Sequence, residues 1–370
     1  MHVRRVGATA ALAMAVVLAT PDAAFAAVAS TPDTIAAVTG TVYAVARVGD
    51  RTILGGDFTA VGGVARRNAA AILADGTVDP NFDPRPDGIV YALAGTADGS
   101  RTFLGGTFVN AGGAARAHLA AIDTATGLAV AGWNVDANGD VLSLATSGNR
   151  LYAGGRFTAI GTSTRRRLAA IDLTTGAVQL GFNPWPDWTV RAVAVSPDAT
   201  KVYAVGGFAT IGGASRRGAA EVLASTGVAT AFEPSKGGVA LAAALTPDGT
   251  RFYFSTTDNR LYAYDPAVSN TPVYIVQSGG DTQAIAASAT EVFFGGHFGQ
   301  VWLGKAKIKR SRIASIRVAD GAVTAWNPGA DGYLGVWAAA VTPTHLLVGG
   351  DFKKIGGRTQ PGFARFTGTP

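Results

Sequence analysis

An all-β fold of seven tandem units, each a four-stranded antiparallel sheet, is predicted by three features of this 370-residue chain. A Gly-Gly-x-Phe motif returns along its length. Between copies, Gly, Asp and Pro turn signals cut the chain into apolar runs of about five residues. After residue 26 no stretch carries the 3.6-residue apolar period of a helix.

The motif reads Gly55-Gly56-Asp57-Phe58, then Gly62-Gly63 and Arg66. It returns as Gly105-Gly106-Thr107-Phe108 with Arg116, and as Gly154-Gly155-Arg156-Phe157 with Arg165. Weaker copies stand at Gly206-Gly207-Phe208, Gly295-Gly296-His297-Phe298 and Gly349-Gly350-Asp351-Phe352. The phenylalanines are spaced by 50, 49, 51, 90 and 54 residues. The interval of 90 leaves room for a degenerate unit, making seven. A fixed period of this size marks a repeat architecture.

The third unit shows the pattern most cleanly. An apolar run at 141–145 suits an inner strand buried on both faces. Residues 150–157 form a second strand with close-packing glycines, and 167–172 a third. Asp172-Leu173-Thr174-Thr175-Gly176 turns the chain into a short fourth strand at 177–182, ended by Asn183-Pro184. Seven such sheets packed face to face about an axis make a β-propeller. Its inner strands are expected at 42–46, 90–94, 141–145, 190–194, 239–243, 282–286 and 336–340. The last unit stops at Phe366-Thr367-Gly368 without a fourth strand, and residues 31–39 are free to supply it. Closing the ring in this way removes exposed sheet edges. A β-helix ranks lower, because its coils use periods nearer 20–30 residues.

The pattern Gly-Gly-x-Phe-Thr-x-x-Gly-Gly-x-x-Arg-x-x-x-Ala, best seen at 55–70 and 105–120, resembles the bacterial delta-60 repeat β-propeller family. Six of seven units carry it. The resemblance implies a large secreted bacterial protein and no defined enzymatic activity. The fifth unit departs from the pattern: residues 252–264 make a tight hairpin with Asp258-Asn259 at its turn.

Residues 1–26 read as a secretory signal. Arg4 and Arg5 precede an apolar run at 8–19, too short to span a bilayer, and Ala24-Phe25-Ala26 offers small-x-small cleavage. Cleavage after Ala26 is expected, and cleavage after Ala29 also fits. Residues 27–370 then form one exported propeller domain with no transmembrane segment. There is no cysteine, so stability rests on core burial rather than disulfides. The net charge of +6 is mild for this surface and favours acidic partners such as anionic cell-wall polymers. No nucleic-acid partner and no cofactor are expected, and the chain is expected to be a monomer.

Candidate binding residues fall into two groups. Arg66, Arg116, Arg165 and Arg216, with Arg310, each stand four residues before an alanine of strand three. They would either cement the units, through backbone carbonyls or through Asp87 and Asp187 of neighbouring units, or form an anion-binding ring. The first reading ranks higher, because a residue repeated from unit to unit serves the repeat. The second group is irregular. The sixth unit lengthens its loop by four residues and carries Trp302, Lys305, Lys307, Lys309 and Arg310. Trp185 and Trp188 lie in the connection between units three and four. Tryptophan beside charged groups suits stacking on a sugar, although a Trp in a Pro-rich loop also suits filling the gap between units.

No catalytic residues are assigned. Asp136-Ala137-Asn138-Gly139-Asp140 has the flavour of a Ca²⁺ loop but lacks the later bidentate Glu. His118, His297 and His345 occupy unrelated places in their units, so no metal site is expected. The leading expectation is a secreted, non-catalytic binding module at the bacterial cell envelope, for polysaccharide or another anionic polymer. The alternative is an extracellular carbohydrate-active hydrolase or lyase using the same loop face.

Overall fold

The computed structural model describes residues 27–234 and 238–370, so the expected leader at 1–26 lies outside the described residues. Among these there is no helix, and hence none long and apolar enough to cross a membrane. Antiparallel sheets succeed one another along the chain. The first joins Val38–Val48, Arg51–Val61 and Ala69–Ile72. The second joins Val90–Gly95, Arg101–Gly106 and Leu119–Asp123, and the third Val141–Ser147, Arg150–Gly155 and Leu168–Asp172. The fourth holds Val190–Val195, Lys201–Gly206 and Ala219–Leu223. Thr282–Ala287, Glu291–Gly296 and Ile313–Arg317 make the sixth, and Val336–Val341, His345–Gly350 and Phe363–Thr367 the seventh.

The fifth unit alone has four laddered strands of its own: Ala240–Leu245, Phe252–Thr256, Arg260–Tyr264 and Tyr274–Ser278. In units one to four and in unit six the expected fourth strand is reduced to a single bridge, as between Ile171 and Val178 or Ile122 and Ala129. The cause is local. The outer segment spends its next carbonyl on the repeated arginine rather than on the ladder: Thr230 in unit four and Val130 in unit two.

Glycine explains how the sheets pack. A Cβ placed on Gly55 would stand 2.6 Å from Val90 Cγ1, and one on Gly105 2.6 Å from Val141 Cγ1. The same contact links Gly154 to Val190 and Gly295 to Val336. The first glycine of each motif is therefore a socket for the first valine of the next unit. Unit four has the opposite arrangement. The register pairs Val190 with Gly206, so Gly206 is the second glycine of the motif and Val205 fills the first place. The next unit answers with Ala240 where others carry Val, and Val205 and Ala240 share one buried cluster. Packing volume is conserved by exchanging large for small across the contact.

Gly349 of unit seven has the same relation to unit one: its Cβ would meet Val42 Cγ1 at 2.6 Å. Leu347 and Phe363 join Val42, Leu54 and Phe58 in one buried cluster. The outer side of unit seven is lined by the N-terminal segment. Ala29 N–H donates to Thr367 C=O (2.9 Å) and Asp33 N–H to Arg365 C=O (2.8 Å). The Asp33 carboxylate takes Arg365 Nε at 2.7 Å and Thr367 Oγ1 at 2.9 Å. Gln360 holds the place of the repeated arginine, and its Nε2 donates to Ile35 C=O (3.2 Å).

At the other end of the sheets, the turn between the first two strands is held by an aspartate in units two, four and five. Asp98 accepts from Thr96 Oγ1 and from the Ser100 N–H and hydroxyl; Asp198 and Asp248 repeat this. These bonds favour the charged form, led by the hydroxyl of Thr96 or Ser196, and hold Asp98 and Asp198 at about 2. A carboxyl held lower in the folded state than unfolded stabilises the fold above its unfolded pKa, near ~3.9, and ceases to do so as pH falls through the folded value. The melting temperature should therefore fall between about pH 4 and pH 2. In the double variant Asp98→Asn, Asp198→Asn this acid-side slope should flatten, as a pH series of thermal melts would show.

Candidate functional site

Pairing of Val42 with Gly56, and of its counterparts in other units, puts the start of each inner strand and the loop after each motif Phe at the same end of the sheets. The repeated arginines lie in those loops. Arg66, Arg116 and Arg165 are buried. In each of the five, Nη1 donates to the carbonyl of the preceding residue and Nη2 to a carbonyl 14 or 15 residues on. Each guanidinium thus staples its loop to the outer segment of its own unit. The Nε atoms of all five are buried without a partner among the described residues. Asp87 and Asp187, expected as partners from neighbouring units, instead accept from the backbone N–H groups of Val109 and Asn110, and of Ala209 and Thr210. Arg310 belongs with these staples rather than with the lysines beside it.

In the sixth unit the long loop is a hairpin, Gln300–Leu303 with Ala306–Lys309. It adds to the edge of unit five, pairing Gln277 with Trp302 and Ser278 with Val301. Unit five lacks a loop of its own, and its fourth strand is therefore open to this neighbour. Lys305, Lys307 and Lys309 are exposed, and Lys307 Nζ lies 5.9 Å from the half-buried Trp302 ring. Among the described residues no ring contact, hydrogen bond or ion pair joins this hairpin to Trp185 or Trp188. Those two tryptophans are exposed, at 41% and 62%, and each has an arginine over it. The Arg166 guanidinium stands 4.7 Å from the Trp185 ring and that of Arg167 5.8 Å from Trp188. Trp188 also covers Gly207, whose Cβ would meet its Cδ1 at 2.8 Å.

The Asp136–Asp140 loop is occupied by its own contacts. Asp136 accepts from Ala117 N–H, Asn138 bonds Thr158, and Asp140 pairs with Arg156 at 2.9 Å. Among the described residues no group of His, Cys, Asp or Glu is arranged to hold a metal ion.

A site that the sequence reading passed over lies on the axis. Every inner strand carries a register shift at the same place: between Val42 and Ala44, Val90 and Ala92, Val141 and Ser143, and so on to Val336 and Ala338. A β-bulge re-aims the extra side chain. Here the bulged residues Tyr43, Tyr91, Leu142, Arg191, Leu241, Gln283 and Trp337 line one cavity of about 310 Å³ at the mouth of the central channel, together with Arg156. Small residues lie beneath them, Ala44, Ala92, Ser143 and Ala284 among them.

The mouth is chemically lopsided. Units seven, one and two contribute Trp337, Tyr43 and Tyr91, a continuous aromatic arc: Tyr43 lies 5.2 Å from Trp337, edge-on, and 5.5 Å from Tyr91. Burial first, then the neighbouring Tyr91 and Asp57, raise the Tyr43 phenol; burial, then Asp140, raise Tyr91. Both rings are neutral at ordinary pH. Unit four contributes Arg191, which makes no hydrogen bond or ion pair among the described residues. Desolvation, then the Arg156 charge, lower its pKa, so the guanidinium is less well solvated than a free one. Unit six supplies Gln283. Its Oε1, and Nε1 of Trp337, are buried without a partner among the described residues. The sequence did carry a signal for this ring. In a repeat that otherwise fixes valine and alanine, the second residue of the inner strand is free to be Tyr, Leu, Arg, Gln or Trp.

The all-β sheets and the axial mouth define the β-propeller class. Residues 50–82 match the family model described as a β-propeller domain of unknown function, DUF5122. The whole chain is similar in structure to the WD40 β-propeller domain of Doa1, with a TM-score of 0.61 and 11% identity over 94% of this chain and 97% of that one. At that identity the likeness concerns the fold alone. No curated protein matches the chain.

Proposed function

We propose that the chain is a secreted, non-catalytic propeller of the delta-60 repeat kind that binds acidic polysaccharide at the bacterial cell envelope through its channel-mouth face. Its seven blades form a ring closed by the N-terminal segment. The observation that carries the binding reading is the lopsided mouth, with an aromatic arc facing the unpaired Arg191. Aromatic faces stack on the apolar faces of sugars, and a partly desolvated guanidinium favours a carboxylate. Arg166 and Arg167, over Trp185 and Trp188, extend the basic aromatic surface outward from Arg156.

The non-catalytic reading is supported by the carboxylates around the mouth. Of the three carboxylates whose charge is felt by Tyr43 and Tyr91, Asp351 accepts from the Leu334 and Gly335 N–H groups and Asp140 pairs with Arg156, which leaves Asp57 unengaged among the described residues. Glycoside hydrolysis by the common route needs two carboxyl groups flanking the bond.

The test is retention of the purified protein on immobilised polygalacturonate and on neutral dextran, with reducing ends assayed in the flow-through. Retention on the acidic polymer alone, weakened by salt and without sugar release, is the expected result. Release of reducing ends would favour the enzyme reading, and failure to be retained would remove the polymer reading. Lys305→Ser, Lys307→Ser, Lys309→Ser serves as a control for the exposed hairpin. It should keep the fold within about 0.5 kcal/mol per site and leave most of the retention in place.

The closure also favours one processing site. Trp326 Nε1 donates to Ala29 C=O at 2.9 Å, and Val28 packs on the core of unit seven. Cleavage after Ala29 would remove both contacts, whereas cleavage after Ala26 keeps them. The intact mass of the exported protein should correspond to a chain beginning at Ala27.

A further inference from the structure

We propose that the mouth recognises the end of an acidic polysaccharide, taking a single terminal sugar that carries a carboxylate, end-on along the channel axis. This rests on the reading of the mouth as a polysaccharide site and narrows it to the group recognised.

The arrangement of the side chains points to a chain end. They converge from all sides of an axis, so a polymer lying flat would touch the rim and leave the buried atoms unmet. A cavity of about 310 Å³ is at the small end of ligand sites, which run from roughly 300 to 1,000 Å³, and suits one sugar ring. The buried, unpartnered atoms there are complementary: Trp337 Nε1 needs an acceptor and Gln283 Oε1 a donor. They come from adjacent units. Each unmet buried group carries a desolvation penalty that a partner would relieve. A sugar hydroxyl can satisfy either atom once its side chain turns toward the cavity, because it both donates and accepts.

Charge distinguishes an acidic sugar from a bare polyanion. On the arc side stands Asp57, exposed and unpaired among the described residues. It repels a second anion and accepts from a hydroxyl. Opposite, Arg191 has all its donors unspent and Arg156 lies beside it. A ligand with hydroxyls at one edge and one carboxylate at the other meets both sides. A sulfated or phosphorylated chain with charge all round does not. A peptide C-terminus would satisfy Arg191 but has fewer hydroxyl-like groups for Asp57 and Gln283.

The experiment is calorimetric titration of the intact mature protein with D-glucuronate, D-glucose and the tripeptide acetyl-Ala-Ala-Ala, followed by the variants Arg191→Gln and Trp337→Phe. Glucuronate should bind one to one and at least about tenfold more tightly than glucose, since the charge-assisted pair is the difference between them. Arg191→Gln should reduce glucuronate to the glucose level. Trp337→Phe, which keeps the ring and removes the N–H, should weaken both sugars by a similar factor. Thermal melts of both variants check that the fold is retained. Equal affinity for the two sugars, an unchanged glucuronate affinity in Arg191→Gln, or tighter binding of the tripeptide would each overturn the proposal. Retention of polygalacturonate without glucuronate binding would also overturn it, while leaving the polymer reading in place. Glucuronate binding without polymer retention would do the reverse.

Discussion

A chain lacking residues 27–36 should lose its cooperative thermal transition at room temperature and above. The deletion stops short of Val38, the start of the first strand, so every ladder of unit one is kept. It removes the backbone partners of Thr367 and Arg365 and the carboxylate that pairs with Arg365. Trp326 Nε1 and Gln360 Nε2 lose Ala29 and Ile35 as acceptors. Ile35 and Ala36 are lost from the cluster that packs unit one on unit seven. Several buried polar groups at about 1–3 kcal/mol each, together with the lost apolar burial, match or exceed the 5–15 kcal/mol by which domains are ordinarily stable. The edge that is exposed invites pairing with a second chain. Light scattering and a circular-dichroism melt would report both effects. A monomer that melts like the intact protein would show that the segment only decorates unit seven.

Replacing Arg116 with Ala should destabilise the protein by about 2–4 kcal/mol, although the residue touches no ligand. Its side chain is 6% exposed and bridges Ala115 C=O at 2.7 Å to Val130 C=O at 3.3 Å. The change removes the donor of two part-buried carbonyls and leaves a cavity. Arg116→Lys should recover little, because one ammonium cannot reproduce a fork that spans two carbonyls. Denaturant titrations of the two variants would check this. If either were as stable as the parent, the staple would be dispensable and the buried guanidinium would need another purpose.

The repeat was legible in the sequence because each glycine of the motif is required for contact. Gly154 leaves room for Val190, and no larger residue fits there unless its partner shrinks, as Ala240 does for Val205. The same constraint made the inner strands readable: 141–145 lies within Val141–Ser147, and 336–340 within Val336–Val341. The fourth strand was overestimated. Composition shows which residues suit a strand, but not that the arginine fourteen residues earlier takes the Thr230 carbonyl. The pairing of the sixth unit's hairpin with unit five was hidden for a related reason, since an open strand edge is a property of a neighbour. The mouth was missed because a bulge shifts register without any residue type of its own. Tyr43, Arg191 and Trp337 look in sequence like exposed positions of ordinary alternating strands.

The central claim is that the units interlock around a closed ring, the seventh against the first as each against the next. A double-mutant cycle at Gly349 and Val42 tests it most directly. Gly349→Val should cost about 1–3 kcal/mol by overpacking, and Val42→Ala should cost a similar amount as a cavity. Together they recreate the Val205 and Ala240 arrangement on the other side of the ring. The double variant should therefore be more stable than the sum of the single changes by at least about 1 kcal/mol. Strict additivity of the two would mean that Gly349 and Val42 do not meet, and that the ring is open where the chain ends come together.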